Sequence, residues 1–176
     1  MTTQTILKLS KWHVATAAEA VAAAQFARFG YDVSVQYGAN QPEYDLIIAS
    51  GSQLLKISVK GSVDGGWGLS QSQLSKLRKA NYHGAARMWL ERFKPLTALC
   101  FVQFKDVPVD GMPRVYLAWP KEVADRLIRA SGGRGDTILW ENHTHGPRAA
   151  GAGTVERLPE NWKMTRKRVQ ELLGAN

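Results

Sequence analysis

The sequence predicts an α/β domain: a mixed β-sheet flanked by helices. Three observations carry this expectation. An alanine-rich run near the start has helical spacing. Two apolar runs separated by Gly51-Ser52 have strand spacing. Beyond them, helical and strand-like segments alternate to the end, giving the order α-β-β-β-α-β-β-α. The 176 residues suffice for one domain with a sizeable core. We expect a single domain over 1–176, with its core at about 14–131 and a C-terminal extension at about 132–176.

Taken in order, residues 14–29 (VATAAEAVAAAQFARF) predict the first helix. Val14, Ala17, Val21 and Ala24, and Ala18, Ala22, Phe26 and Phe29, fall at helical spacing, and Gly30 is placed to stop the helix. YDVSVQY (31–37) alternates as a strand does, and GANQPE (38–43) reads as a loop. Residues 44–50 and 53–60 predict a hairpin turning at Gly51-Ser52. That turn sets Leu46 opposite Ile57, Ile48 opposite Leu55 and Asp45 opposite Ser58. Leu46, Ile48, Leu55, Ile57 and Val59 then share an apolar face, while Asp45, Ser58, Lys60 and Glu43 share the other. SVDGGWG (62–68) reads as a glycine-rich loop and 69–93 as mostly helix with a break at Gly84. Residues 95–104 and 113–119 are strands, and Pro120 opens a helix to about 131. TILWENH (137–143) is a further strand, 144–153 a loop, and 165–173 a closing helix with a basic face.

Hydrophobic residues at 44% and charged residues at 22% fit a folded globular chain and argue against long disorder. The net charge of +8 favours a polyanionic partner, nucleic acid before membrane. Cys100 is the single cysteine and lies in an apolar run, so it is expected to be buried, with no internal disulfide and no thiolate zinc site. The first residues lack a signal-peptide pattern and no apolar run approaches membrane-spanning length, which predicts a cytoplasmic protein.

Hydrolysis of a phosphodiester needs polarisation of the phosphate, an activated water and a positive group for the developing charge. Glu19 on the first helix, Asp45 on one hairpin strand and Ser58-Val59-Lys60 on the next have the residue types and the order for this. Over residues 17–61 the chain resembles the PD-(D/E)XK nuclease superfamily, and within it the Holliday-junction-resolvase-like and intron-encoded endonuclease-like branches. The resemblance implies a restriction-endonuclease-like fold, Mg²⁺ or Mn²⁺ as cofactor, and branched or duplex DNA as substrate. It implies Asp45 and Glu19 as metal ligands and Lys60 as the catalytic lysine. Ser58 stands where the motif has its second acid; the hydroxyl is neutral and a poor magnesium ligand, and Glu43 could supply the missing charge. Cutting both strands needs two sites, which a homodimer would provide. The alternative is a catalytically impaired nucleic-acid-binding protein on the same fold.

Each residue also has an ordinary reading. Thr16 to Glu19 fits a capping box, Asp45 a solvated strand start, and Lys60 an exposed strand-end charge. Lys76, Arg78 and Lys79, followed by Arg87, Arg92 and Lys94, would neutralise phosphates or form a solvated face. Lys163, Arg166, Lys167 and Arg168 make a second basic set. Trp67, just beyond Lys60, would stack on a base or cover the core. His143 and His145 lack further ligands at a metal-binding spacing.

Overall fold

The computed structural model describes residues 9–36, 43–149 and 151–174. Residues 38–42 of the loop expected at 38–43 and the end of the first predicted strand, Tyr37, lie outside the described residues, as does Ala150 of the loop expected at 144–153.

Helix α1 runs Lys11–Arg28, three residues earlier than its periodicity indicates. Ser10 caps it: the Ser10 hydroxyl accepts from the His13 backbone N–H, and the His13 ring lies 3.2 Å from the Ser10 backbone nitrogen. Glu19 therefore sits in mid-helix and not in a capping box at Thr16. Gly30, at φ +88°, turns the chain out of the helix, and its N–H bonds to Ala27 O. Ala18, Ala22 and Phe26 are fully buried along one stripe. Burying Phe26 contributes about 2–3 kcal/mol, and the alanines let the helix lie close to the sheet.

Strands β1 (Asp32–Val35), β2 (Leu46–Ser50) and β3 (Gln53–Ser62) follow. The β2–β3 hairpin has the predicted register, with Leu46 on Ile57 and Ile48 on Leu55, closing at Gly51 with φ +59°. Beyond β3 come β4 (Gly66–Gly68), α2 (Gln71–Leu74), α3 (Tyr82–Leu90), β5 (Thr97–Gln103) and β6 (Arg114–Ala118). The five-stranded sheet has the order β1-β2-β3-β5-β6. β3 and β5 pair in parallel, with α2 and α3 in the crossover between them, and the other pairs are antiparallel. The chain thus adopts the expected α/β class, a mixed sheet flanked by helices.

The helix expected over 69–93 is two helices, and the break lies at 75–81 and not at Gly84. Asn81 has a non-helical backbone, and its Oδ1 accepts from Gly84 N at 2.8 Å, so Asn81 starts α3. The glycine-rich segment contributes β4, which pairs with β7 (Ile138–Trp140). Helix α4 spans Pro120–Gly133 and is interrupted at Ala130, Ser131 and Gly132. β8 (Asn142–Thr144) pairs with β9 (Val155–Arg157), and α5 spans Arg166–Gly174.

Both faces of the sheet are covered. Leu46, Ile48, Leu55, Ile57 and Val59 pack with the buried stripe of α1 and with Val169, Leu172 and Leu173 of α5. On the opposite face, Leu99 and Phe101 pack with Trp67, Trp89, Leu127, Leu139 and Trp162. All seven residues of β5 are buried, as a central strand between two layers requires. Cys100 is buried as expected, and burial raises its thiol pKa. Of the segment after 131, Leu139, Leu158 and Trp162 belong to one core and Val169, Leu172 and Leu173 to the other.

Of the basic set expected on and before α5, Arg168 is built into the structure, while Lys163 and Lys167 stay exposed. Arg168 is buried, with Nη2 2.6 Å from Glu122 and Nε donating to Leu117 O. Lys163 pairs with Glu160 and Lys167 with Glu171. Arg166 bonds the Phe29 carbonyl and lies over the Phe29 ring.

The tightest helix–sheet approach is at Gly61. A Cβ there would meet Val14 O at 2.7 Å and Ala18 Cβ at 2.9 Å. Gly61→Ala should therefore push α1 off the sheet and cost about 1–3 kcal/mol in urea unfolding. An unchanged denaturation midpoint would show that the helix can move aside without loss.

Candidate functional site

β3 is longer than its hairpin partner. β2 pairs only with Gln53 to Ile57, so among the described residues no strand lies beside this edge of β3 from Ser58 onward. Asp45 sits at the end of the pairing. Its N–H donates to Ile57 O at 2.8 Å and its Oδ2 accepts from Val59 N at 2.6 Å. The carboxylate thus satisfies the first free donor of the strand edge. Lys60 follows on β3, half-buried. Across the gap, the close packing of Ala18 on Gly61 sets Glu19 beside the same edge.

These elements enclose a cleft of about 770 Å³, which Glu19, Asp45 and Lys60 line together with Lys11, Asp64 and Gln71. The three charged residues singled out from the sequence thus converge, although Glu19 and Lys60 are far apart in the chain. Their electrostatics reflect the shared space. Burial and then the Asp45 charge raise the Glu19 pKa, against the opposing pull of Lys60. Burial lowers the Lys60 pKa and Arg92 lowers it further, against the stabilising charges of Asp45 and Glu19. Arg92, beyond the end of α3, is thereby a fourth charge acting on the site.

The floor and wall of the cleft are fixed by hydrogen bonds. Gln103, fully buried, donates from Nε2 to Ser62 Oγ at 3.2 Å. Ser62 Oγ donates to Asp64 Oδ1 at 2.9 Å, and Asp64 Oδ1 also accepts from Gly66 N. Behind β4, Glu141 accepts from Arg114 Nε and Nη2 at 2.7 and 2.9 Å and from the Tyr116 hydroxyl at 2.8 Å. The Glu141 N–H donates to Gly65 O, which ties this cluster to the glycine-rich turn.

Two sequence assignments need correction. Trp67 is only 3% exposed. Its ring packs edge-on against Phe101 and Tyr116, and its Nε1 donates to the Lys60 carbonyl at 2.9 Å. Of the two sequence readings, covering the core is the one the structure shows: Trp67 borders the cleft, but its ring has no open face for a base and steadies the strand that carries Lys60. Ser58 is also buried, at 2%, pairs with Leu99 on β5 and is not among the cleft-lining residues. A side chain shut off from the cleft has no catalytic contact there.

Glu43, the conjectured substitute acid, lies toward Lys94 at 4.0 Å and does not line the cleft. Lys76, Arg78 and Lys79 are exposed, on the turn that follows α2 and not on a helix. His143 stacks on Trp140, and His145 is buried near Ser131 and Glu156. Among the described residues no three His, Cys, Asp or Glu side chains form a group that could hold a metal ion. Lys11, Asp64 and Gln71 are cleft residues that the sequence reading passed over. The signal available for Asp64 was its place in a glycine-rich turn directly after the lysine strand.

No protein-family model matches the chain, and no curated protein matches it. Among solved structures, that of a bacterial homing endonuclease, I-Ssp6803I, aligns with 96% of this chain and 96% of its own, at 13% identity and a TM-score of 0.48. A likeness at this level transfers no activity.

The Glu141 cluster predicts an acid-sensitive contribution to stability. Burial alone would raise its pKa, but the hydrogen bonds from Arg114 and Tyr116 outweigh burial and hold the carboxyl below its ordinary value. A group with a depressed folded pKa stabilises the fold above its unfolded pKa. That contribution is lost as pH falls from about 4.3 through the lower folded value. Glu141→Gln should cost about 1–2 kcal/mol at neutral pH and flatten the acid limb of stability against pH. Parallel acid limbs in the two proteins would refute this role.

Proposed function

We propose that this protein is a metal-dependent DNA endonuclease of the PD-(D/E)XK type that hydrolyses phosphodiester bonds. The observation that supports it most is the convergence of Glu19, Asp45 and Lys60 on one open cleft in a chain of net charge +8. Two carboxylates do not make a closed metal cage. They do fit Mg²⁺ or Mn²⁺ in the mode in which one or two carboxylates hold the ion while waters and substrate phosphate oxygens complete the shell. The raised Glu19 pKa, caused in part by Asp45, marks two negative charges in one space that a divalent cation would neutralise. When bound, such an ion polarises the phosphate and makes a water more acidic.

In this reading Asp45 would hold the ion, and Glu19 would do so directly or through water. Lys60 orients the attacking water and takes up its proton at Nζ, which its lowered pKa favours. Lys76, Arg78 and Lys79 hold the DNA backbone by sequence-blind contacts. Cutting both strands of a duplex or junction needs two such clefts, hence two copies of the chain. The rival reading, a nucleic-acid-binding protein without hydrolysis, is favoured by Ser58, neutral and buried where the motif has an acid.

The test incubates the protein with plasmid, single-stranded DNA and a four-way junction in Mg²⁺, Mn²⁺ or EDTA. The expected outcome is metal-dependent cutting that falls by about 10²-fold or more in Asp45→Ala and in Lys60→Ala. The rate should climb with pH as Lys60 loses its proton, and Lys60→Arg, which cannot do so, should lose that rise. DNA binding that weakens with salt, but with no cutting under any metal, would instead establish the binding protein.

A further inference from the structure

The chain has six tryptophans, and Trp12 is the one that stands out in water, 71% exposed on the first turn of α1. Its position relative to the cleft follows from helix geometry. Trp12 precedes Glu19 by seven residues, two turns of helix, so the two project from nearly the same face about 10 Å apart along the axis. Ala15, on the intervening surface, and Lys11, just before Trp12, line the cleft. Leu9 and Val63, 58% and 42% exposed, line it too. The ring of Trp12 stands edge-to-face with that of His13 at 5.5 Å, and 71% of the residue stays open to solvent. Trp12 is not itself a lining residue but stands at the rim beside Leu9 and Lys11, which with Val63 and the neighbouring Asp64 line the cleft, while Glu19 and Asp45 lie further along it.

An exposed aromatic beside a cation is the combination that takes up a nucleobase: the base stacks on the ring and the cation meets the adjoining phosphate. We propose that Trp12 stacks on an unpaired base of DNA whose backbone lies in the cleft, with Lys11 on a flanking phosphate. The site would then prefer single-stranded or interrupted DNA over continuous duplex. A continuous duplex keeps its bases stacked on one another and offers the ring no free face. This inference rests on the nucleic-acid reading above and moves the stacking role from the buried Trp67 to Trp12.

The test measures anisotropy of three labelled DNAs: a single strand, a matched duplex and a duplex with an unpaired bulge. The protein carries Asp45→Ala so that nothing is cut. Adding Trp12→Ala should weaken binding to the single strand and the bulged duplex about 10-fold and leave the matched duplex within about two-fold. Trp12→Phe should restore most of the loss. Thermal unfolding should be unchanged, since the ring is outside the core. Equal weakening on all three DNAs, or none on any, would overturn the role of Trp12 while leaving the nuclease reading intact. A change in sedimentation mass on Trp12→Ala would assign the ring to self-association and also overturn it. Failure of both the parent Asp45→Ala protein and the unsubstituted protein in EDTA to bind any of the three DNAs would remove the nucleic-acid reading and this inference with it.

Discussion

The approach of α1 to β3 is the contact on which the site depends. Ala18 has no side chain beyond Cβ and Gly61 has none at all, so helix and strand meet at a distance that a larger pair could not reach. Glu19 is the next residue on the helix, and Lys60 the residue before Gly61 on the strand. The packing that closes one core thus also sets two charged groups on the rim of the same cleft. Had the helix been held off by a bulkier interface, Glu19 would have been a solvated charge on a surface helix.

A second constraint comes from unequal strand lengths. β2 ends its pairing at Leu46 while β3 continues for five residues past Ile57. An open strand edge must satisfy its donors, and Asp45 does this for Val59 N. On its other side β3 is fully paired with β5, and Trp67 clasps the Lys60 carbonyl. Lys60 therefore projects from a rigid strand into a partly open space, where burial and Arg92 weaken its hold on its proton. The glycine-rich wall is equally fixed, through Gln103 and Ser62 on one side and Glu141 on the other. Glu19 is carried by a helix and Lys60 by a strand, and Asp45 directly precedes β2 and is bonded to β3.

The hairpin was the most legible part of the sequence, because Gly51-Ser52 pins the register and alternation then assigns every side chain to a face. Helix α1 and the buried β5 were readable for the same reason, a strong periodic or continuous apolar signal. The break at 75–81 was less so, since Gly84 is the obvious breaker by propensity and the cap at Asn81 wins through one side-chain hydrogen bond. Trp67 could not be placed from sequence: a tryptophan in a glycine-rich turn looks exposed until β4 is seen to pair with β7 and carry it into the core. Ser58 holds the expected register but is shut off from the cleft, which alternation alone does not reveal. The same holds for Arg168, whose neighbours Lys163, Arg166 and Lys167 made it look like one more surface cation until Glu122 closed on it.

The central claim is that Asp45 and Glu19 share a divalent cation beside Lys60. It is tested most directly by Mn²⁺ titration followed by electron paramagnetic resonance, with an uncleavable phosphorothioate strand present to supply phosphate oxygens. The account predicts one saturable Mn²⁺ site per chain, abolished by Asp45→Asn and weakened by Glu19→Gln. Absence of a saturable site, or one indifferent to both substitutions, would contradict it.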